Sequence, residues 1–196
     1  MAHNKFETVS AVIKERRSTK AASMNGNKIS QENMDALLEL ANWAPTHGRT
    51  QPWHFIIYTG QSLIDFGTEH AELHKTHTPA ETYNPETYAK LQQAMGQASH
   101  MVIAVMKRGE NPKIPLLEEI AACAAAVQNI LIGATAMGIA SFWSSGGFTH
   151  HKALHQHLQL AEHDMVMGLL YLGYTDEPAR EGKRATPITD RIVWNK

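Results

Sequence analysis

A cluster of cations and hydroxyls, Arg16-Arg17-Ser18-Thr19-Lys20, is the first group in the chain that could bind an anion. Guanidinium groups hold phosphate through paired hydrogen bonds, and hydroxyls or backbone amides can complete the set of donors. The cluster follows a predicted helix, so it could equally be a solvated group of charges that offsets the negative end of that helix. Both interpretations stay open on chemistry alone.

Two loops carry further groups of the kind that bind ligands. The first, residues 44–53, is bracketed by Pro45 and Pro52 and contains His47 and Gln51. A rigid loop with several hydrogen-bonding side chains is typical of a binding site, and the glutamine amide can match the donors and acceptors of a heterocycle. A structural turn is the alternative.

The second loop follows an apolar run and reads Phe142-Trp143-Ser144-Ser145-Gly146-Gly147. Ligands of open α/β sheets lie outside the carboxyl ends of the strands. Serines and glycines at such an end expose backbone amides that can hold an anion or a carbonyl group. A Gly-Gly turn without a ligand is the alternative.

The chain contains 12 histidines, of which His70, His74 and His77 are spaced at i, i+4 and i+7. A helix would place these three on one face, as some zinc sites do. No Glu follows His70, so the metalloprotease pattern is missing, and we expect a polar surface face that binds no metal. A histidine-rich metal-binding protein remains the alternative.

Motifs for nucleophilic or nucleotide chemistry are missing. The single cysteine, Cys123, stands among alanines with no basic neighbour, so we expect a small buried side chain rather than a reactive thiol. The sequence has no Gly-x-Ser-x-Gly motif, no Walker loop and no Gly-x-Gly-x-x-Gly motif. A serine hydrolase, a P-loop enzyme and a dinucleotide-binding Rossmann domain are therefore disfavoured.

Hydrophobic periodicity predicts the elements that must position these residues. The predicted helices are 6–16, 30–44, 61–75, 85–99, 116–137 and 151–160, and the predicted strands are 53–58, 101–106, 139–144, 165–174 and 191–194. Helices that alternate with strands in this way are typical of an α/β domain with helices on both faces of a sheet.

Length and composition narrow the class of protein further. The 196 residues suit one domain, 1–196, and the formal net charge of -1 gives no basic surface for nucleic acid or an anionic membrane. The first residues lack the apolar run of a secretory signal, so we expect a cytoplasmic location. Segment 116–137 is long enough to span a membrane, but Gln128 and Asn129 interrupt it, and we expect a core helix buried on all sides.

Taken in order, four segments resemble motifs of the nitroreductase family of flavoproteins. Residues 16–20 are similar to the family's R-x-S-x-K/R signature, and 44–55 to its A-P-S-x-x-N-x-Q-P-W loop. Residues 124–138 are similar to its A-x-x-Q-N-x-x-L-x-A-x-x-x-G helix, and 168–174 to its last core strand. The resemblance covers nearly the whole chain and is closest to the short members of the family.

This resemblance implies an α+β fold with a central mixed or antiparallel sheet flanked by helices. It also implies a homodimer with one noncovalent FMN in each of two sites at the dimer interface. NADH or NADPH would be the reductant, and a nitroaromatic, quinone or similar small electrophile would be the electron acceptor of a ping-pong cycle. Because FMN carries the redox chemistry, such an oxidoreductase needs no catalytic nucleophile.

By the same resemblance, five cationic or hydroxyl residues would bind the polar end of FMN or stabilise its charge. Arg16, Arg17 and Ser18 would hold the phosphate and ribityl chain, and Arg184 would return to the phosphate from the C-terminal loop. Lys20 would stabilise the negative charge that collects on the reduced ring.

The ring itself would be contacted from two directions. His47 and Gln51 would reach the flavin from the other subunit, and Trp143, Ser144 and Ser145 would line the ring and ribityl region. One departure from the family is Arg49, which stands where an asparagine is usual. The flavin contact that this asparagine would make is therefore not carried over.

Two other hypotheses lead to different observations. A flavin-binding sensor or storage protein would have the same visible spectrum but would not oxidise NAD(P)H when acceptors are added. A histidine-rich metal-binding protein on an unrelated α/β fold would be colourless, and its stability would depend on zinc or nickel.

Overall fold

A four-stranded antiparallel sheet forms the centre of the structure, a computed structural model that describes residues 4–195. The strands are β1 (Trp53–Thr59), β2 (His100–Met106), β3 (Ala140–Ser144) and β4 (Met165–Gly173), in the order β1-β2-β4-β3. All three pairings are antiparallel. The α+β class is therefore confirmed, and the α/β class predicted from the alternation of elements is wrong.

Helices connect the strands and explain their directions. They are α1 (Lys5–Glu15), α2 (Gln31–Asn42), α3 (Gln61–His77), α4 (Pro85–Gln92), α5 (Leu116–Ala136) and α6 (Lys152–His157). Between β1 and β2 the chain passes through α3 and α4, which pack on each other and return it to the end of the sheet that it left. Only α5 connects β2 to β3, and these two strands run in the same direction because both are antiparallel to β4.

Each face of the sheet is covered by a hydrophobic core. On one face, α2 and α5 bury Leu37 and Ile130 against Val102 of β2. On the other face, α3 buries Phe66 against Ile103 of the same strand. Because side chains alternate along a strand, neighbouring residues of β2 serve both cores.

The long helix α5 is a core helix with one exposed side. By length and composition alone it could cross a membrane, but nine of its residues are buried in the fold. The expectation that this helix is buried on all sides is wrong, since Leu117 is 74% exposed. Helix α1 has no buried residue, and its apolar side chains Phe6, Val9 and Ile13 are exposed. Both α1 and α5 therefore present apolar side chains to the surface.

Three predicted elements differ from the structure near the chain's turns and C-terminus. The predicted strand 191–194 is wrong: Ile188–Arg191 forms a 3-10 turn, and Val193 and Trp194 after it are exposed and irregular. A strand needs a neighbouring edge for its hydrogen bonds, and none adjoins this segment within residues 4–195. The predicted helices 85–99 and 151–160 end earlier, at Gln92 and His157.

Candidate functional site

Four of the residues predicted to bind a ligand line one cavity of about 360 Å³, here called the arginine cavity. They are Arg16, Ser18, Trp143 and Arg184, and the cavity is completed by Ile13, Gln128 and Leu131. The lining residues thus carry two guanidinium groups, a hydroxyl and an amide, and they include no carboxylate. Such a set of donors suits an anionic ligand with further polar groups.

The segment after α1 is fixed to the sheet beside this cavity. Arg16 ends α1, and Ser18 then pairs in parallel with Ser141 of β3. The backbone N–H of Thr19 donates to the carbonyl of Ser141 at 2.9 Å. Because β3 also carries Trp143, this pairing brings the cation cluster to the strand end that was predicted to bind a ligand.

The indole of Trp143 is held by the neighbouring strand. Its Nε1 donates to the carbonyl of Met167 at 2.9 Å. The next residue, Gly168, has φ of 147°, and a Cβ there would collide with the indole nitrogen. Glycine at this position in β4 therefore lets the indole lie against the strand and form one wall of the arginine cavity.

Arg17 lies apart from Arg16, although the two are neighbours in the predicted cluster. Its guanidinium donates to the carbonyls of Lys14, Arg16 and Arg180, each at 2.7 Å. It lines a separate cavity of about 340 Å³ between α1 and the C-terminal loop. The contact with Arg180 fastens the loop that carries Arg184, so in the structure Arg17 supports the arginine cavity without facing it.

Three other predicted site residues flank the arginine cavity without lining it. Ser144 ends β3, directly after Trp143, and its Oγ accepts from the N–H of Gly146 at 3.4 Å. Ser145 and Lys20 are exposed. These side chains can contact only a ligand that extends beyond the cavity itself.

His47 and Gln51 are held at the other end of α5. His47 Nδ1 lies 2.5 Å from Oε2 of Glu118, in the first turn of that helix. Gln128 and Leu131 of the arginine cavity follow Glu118 by 10 and 13 residues, which is about 15–20 Å along a helix at 1.5 Å per residue. One chain therefore does not bring His47 to the arginine cavity.

Three lining residues of the cavity were not predicted as site residues. Gln128 and Leu131 are separated by three positions on α5 and so share a helix face. The sequence signal for Gln128 is that a polar residue interrupts an otherwise apolar helix. Ile13 gave no signal beyond the apolar face of α1.

The histidines of α3 share a helix face, of which His77 is exposed as expected but His70 and His74 are buried. His70 is 2% exposed and His74 is 8% exposed, so the expected polar surface face is wrong for both. Burial, followed by the nearby His74 and His157, lowers the pKa of His70 to about 4. Among residues 4–195 no group of three or more His, Cys, Asp or Glu side chains is arranged to hold a metal ion.

Cys123 is fully buried in α5, as expected for a small apolar side chain. Its Sγ contacts the carbonyl of Val105 at 3.7 Å. Burial raises the pKa of the thiol to about 12. Because the thiolate is the reactive form, this cysteine takes no part in a candidate reaction.

Comparison with known proteins identifies relatives over most of the chain. The model of the Nitroreductase family matches residues 13–174. A Bacillus subtilis protein provisionally named an NAD(P)H nitroreductase is 29% identical over 158 residues, which cover 80% of this chain and 79% of the relative. An Archaeoglobus fulgidus protein provisionally named an NADH dehydrogenase/NAD(P)H nitroreductase is 30% identical over 166 residues, or 83% of each chain.

Solved structures agree with the sequence relatives. A nitroreductase-like family protein from Bacillus cereus has a TM-score of 0.83 and 26% identity, with both chains covered completely. A nitroreductase with bound FMN from Bacteroides fragilis has a TM-score of 0.72 and 22% identity, covering 98% of this chain and 100% of that one. At 22% identity, the similarity to the second structure shows a shared fold alone.

Proposed function

The chain belongs to the nitroreductase family, and from this premise we propose that it is an FMN-dependent oxidoreductase that passes electrons from NADH or NADPH to a small electrophile. Nitroaromatics and quinones are the proposed acceptors, in a ping-pong cycle in which reductant and acceptor use one site in turn. The observation that carries the proposal is the arginine cavity, because it is donor-rich and lies where residues 16–20 meet the helix that contains Gln128 and Leu131.

The residues of the arginine cavity fit the polar end of FMN. Arg16 and Arg184 supply guanidinium groups for the phosphate, and Ser18 adds a hydroxyl donor. Gln128 can bond the ribityl hydroxyls, since its amide both donates and accepts. A volume of about 360 Å³ lies within the usual range of ligand pockets. When bound, FMN supplies the two-electron chemistry, and the protein supplies binding and orientation.

Residues around the cavity would position the rest of the ligand. Trp143 forms a fixed wall, and Ser144 and Ser145 follow it at the end of β3. The exposed Lys20 provides an ammonium group that would stabilise negative charge developing on the pyrimidine side of the ring. We propose no role in FMN contact for Arg17, because its guanidinium is already bonded to three backbone carbonyls.

A homodimer would complete each site. Glu118, the partner of His47, lies about 15–20 Å along α5 from the arginine cavity of its own chain, so His47 and Gln51 of the same loop are proposed to contact the FMN of the partner subunit. The exposed apolar side chains of α1 and α5, Val9 and Leu117 among them, supply surface for such an interface. Apolar surface of this kind is typical of obligate dimers.

Replacement of Arg16 by Ala is expected to weaken FMN binding about tenfold to hundredfold, as loss of one charge-assisted hydrogen bond would. The control is Lys14→Ala, which removes an exposed cation of α1 that does not line the arginine cavity, and it should change the dissociation constant less than about threefold. Titration of each apoprotein with FMN, followed by flavin fluorescence, measures both constants. Equal losses in the two variants would show that FMN binding does not follow the cavity.

The same preparations test the proposed activity. The wild-type protein should purify yellow, and the chromophore released on denaturation should run as FMN in chromatography. NADH or NADPH should be oxidised when a quinone or nitroaromatic acceptor is added. An FMN-loaded protein that shows no such turnover would be a flavin-binding protein without reductase activity, and a chromophore other than FMN would exclude the proposed cofactor.

Sedimentation equilibrium at low micromolar concentration should give about twice the chain mass of 21.8 kDa. A charge on the apolar face of α1 should oppose dimerisation, so Val9→Glu is expected to yield monomer and to lose FMN at the same time. The matched control is Ile64→Glu, because Ile64 is 59% exposed against 53% for Val9 but lies on α3. A monomer that keeps its full FMN content would contradict the shared site.

A further inference from the structure

Glu118 is the hydrogen-bond partner of His47, and we infer that it is a positioning residue for the reaction. The inference rests on the proposed function, in which His47 contacts the FMN of the partner subunit. His47 Nδ1 lies 2.5 Å from Oε2 of Glu118. An ionised carboxylate can only accept, so Nδ1 carries the proton and Nε2 is left free to face the partner's site.

The direction of Glu118 is fixed by its neighbour in the helix. Glu119 is 1% exposed and turns inward, where it pairs with Arg108 and accepts from the backbone N–H of Gly109 at 3.2 Å. Consecutive residues of an α-helix point about 100° apart, because a turn contains 3.6 residues. The buried pair therefore sets the rotation of the first turn of α5 and with it the direction in which Glu118 reaches out.

His47 is held from the other side by a strained loop. Gly48, Arg49 and Gln51 have φ angles of 59°, 57° and 44°, in the left-handed region that non-glycine residues rarely adopt. Gly48 also packs so closely on Ile114 that a Cβ would lie 2.7 Å from its Cδ1. Strained backbone of this kind is concentrated at functional sites.

The exposure of the pair favours a role in function over one in folding. The side chains of His47 and Glu118 are 61% and 45% exposed, and side-chain contacts with this exposure add little to stability. The pair also lies beside Leu117, whose side chain is part of the apolar surface proposed to meet the partner subunit. A strained loop that begins with an exposed imidazole bonded to Glu118 is suited to present Nε2 at this surface to a second chain.

The test compares Glu118→Gln with Glu110→Gln in the FMN-loaded protein. Glu110 is an exposed carboxylate in the loop before α5 and serves as a control for loss of charge. Imidazole ¹⁵N resonances report which ring nitrogen carries the proton, and the His47 signals are assigned by their absence in His47→Gln. The same samples give the FMN dissociation constant and the steady-state kinetics with a quinone acceptor.

We expect His47 to be protonated at Nδ1 in the wild-type protein and in Glu110→Gln. Because the amide of Glu118→Gln can donate as well as accept, that variant should show a mixture of the two tautomers. Its kcat/KM for the acceptor should fall at least about tenfold, while FMN affinity changes by less than about twofold.

Each other outcome overturns the inference. An unchanged tautomer in Glu118→Gln shows that the carboxylate does not direct the ring, and a changed tautomer with unchanged kcat/KM shows that the direction does not matter to the reaction. If the wild-type protein turns over in either case, the proposed function is retained and only the role of Glu118 is excluded. Wild-type protein that holds no FMN and oxidises no NAD(P)H overturns the proposed function and the inference with it.

Discussion

Replacement of Glu119 by Ala is expected to lower the free energy of unfolding by about 3–5 kcal/mol, the usual result of removing one member of a buried ion pair. Glu119 is 1% exposed and accepts from the Arg108 guanidinium and from the N–H of Gly109. Without this carboxylate, the cation of Arg108 would remain in a site where only 21% of its side chain meets water. Urea unfolding at one fixed protein concentration, with FMN absent, measures the change.

The matched control is Glu118→Ala, the neighbouring carboxylate in the same helical turn. Its side chain is 45% exposed, so its loss should cost no more than about 1 kcal/mol. The double variant Arg108→Met/Glu119→Met should be more stable than Glu119→Ala, because it removes both charges together. Equal losses in Glu118→Ala and Glu119→Ala would contradict a structural role for the buried pair.

The network around Arg108 extends well beyond the pair itself. Its guanidinium also donates to the carbonyl of Ile114 at 2.7 Å, and its backbone N–H donates to Asp164 at 3.0 Å. These bonds join the start of α5, the loop before it and the turn before β4. The loss of Glu119 should therefore loosen the surface on which the His47 loop lies as well as the core.

The chemistry of the arginine cavity could be predicted from residue types, but the directions of its side chains could not. Arg16 ends α1 with φ of -52° and ψ of 124°, so the chain leaves the helix in an extended form. Successive side chains then point to opposite sides, which separates Arg17 from Arg16. The sequence shows that both are cations near a helix end, but it does not show the dihedral angles at which the helix stops.

The order of helices and strands along the sequence also could not predict the directions of the strands. A helix between two strands predicts a crossover and a parallel pair. Two helices that pack on each other, as α3 and α4 do, return the chain to its starting side and give an antiparallel pair. This outcome depends on contacts between helices, which hydrophobic spacing does not specify.

The position of His70 could have been found in the sequence. The spacing that places it with His74 also places it with Leu63 and Phe66, at seven and four positions before it. Those two residues are buried, and a helix face is shared by residues at such intervals. A histidine on the apolar stripe of an amphipathic helix is therefore a core residue, whereas the prediction considered only the polar members of the face.

Because His70 is buried, we expect the protein to lose stability at acidic pH. Both ring nitrogens of His70 lie without a hydrogen-bond partner among the described residues. The ring contacts Phe66, with centroids 5.5 Å apart, and His74 and His157 are the nearby titratable groups that oppose its protonation. Glu69 precedes His70 on α3 and is paired with His157 at 3.2 Å.

The sign of the effect follows from the lowered pKa. Burial lowers the pKa of His70 from 6.5 to about 4, so between these values the unfolded chain binds a proton that the folded chain does not. As the pH is lowered from 6.5 to 4, the free energy of unfolding therefore decreases by about 1.4 kcal/mol per pH unit, or about 3 kcal/mol in all. Above pH 6.5 this histidine adds no pH dependence.

Carboxylates also titrate in this range, so the measurement is a difference between variants. The stability of His70→Leu relative to wild type should rise by about 3 kcal/mol between pH 7 and pH 4, because the variant has no buried imidazole to protonate. The control His163→Gln removes an exposed histidine and should follow the wild-type pH profile. If the wild type and His70→Leu lose stability in parallel on acidification, the buried imidazole is not the group that makes the fold acid-sensitive.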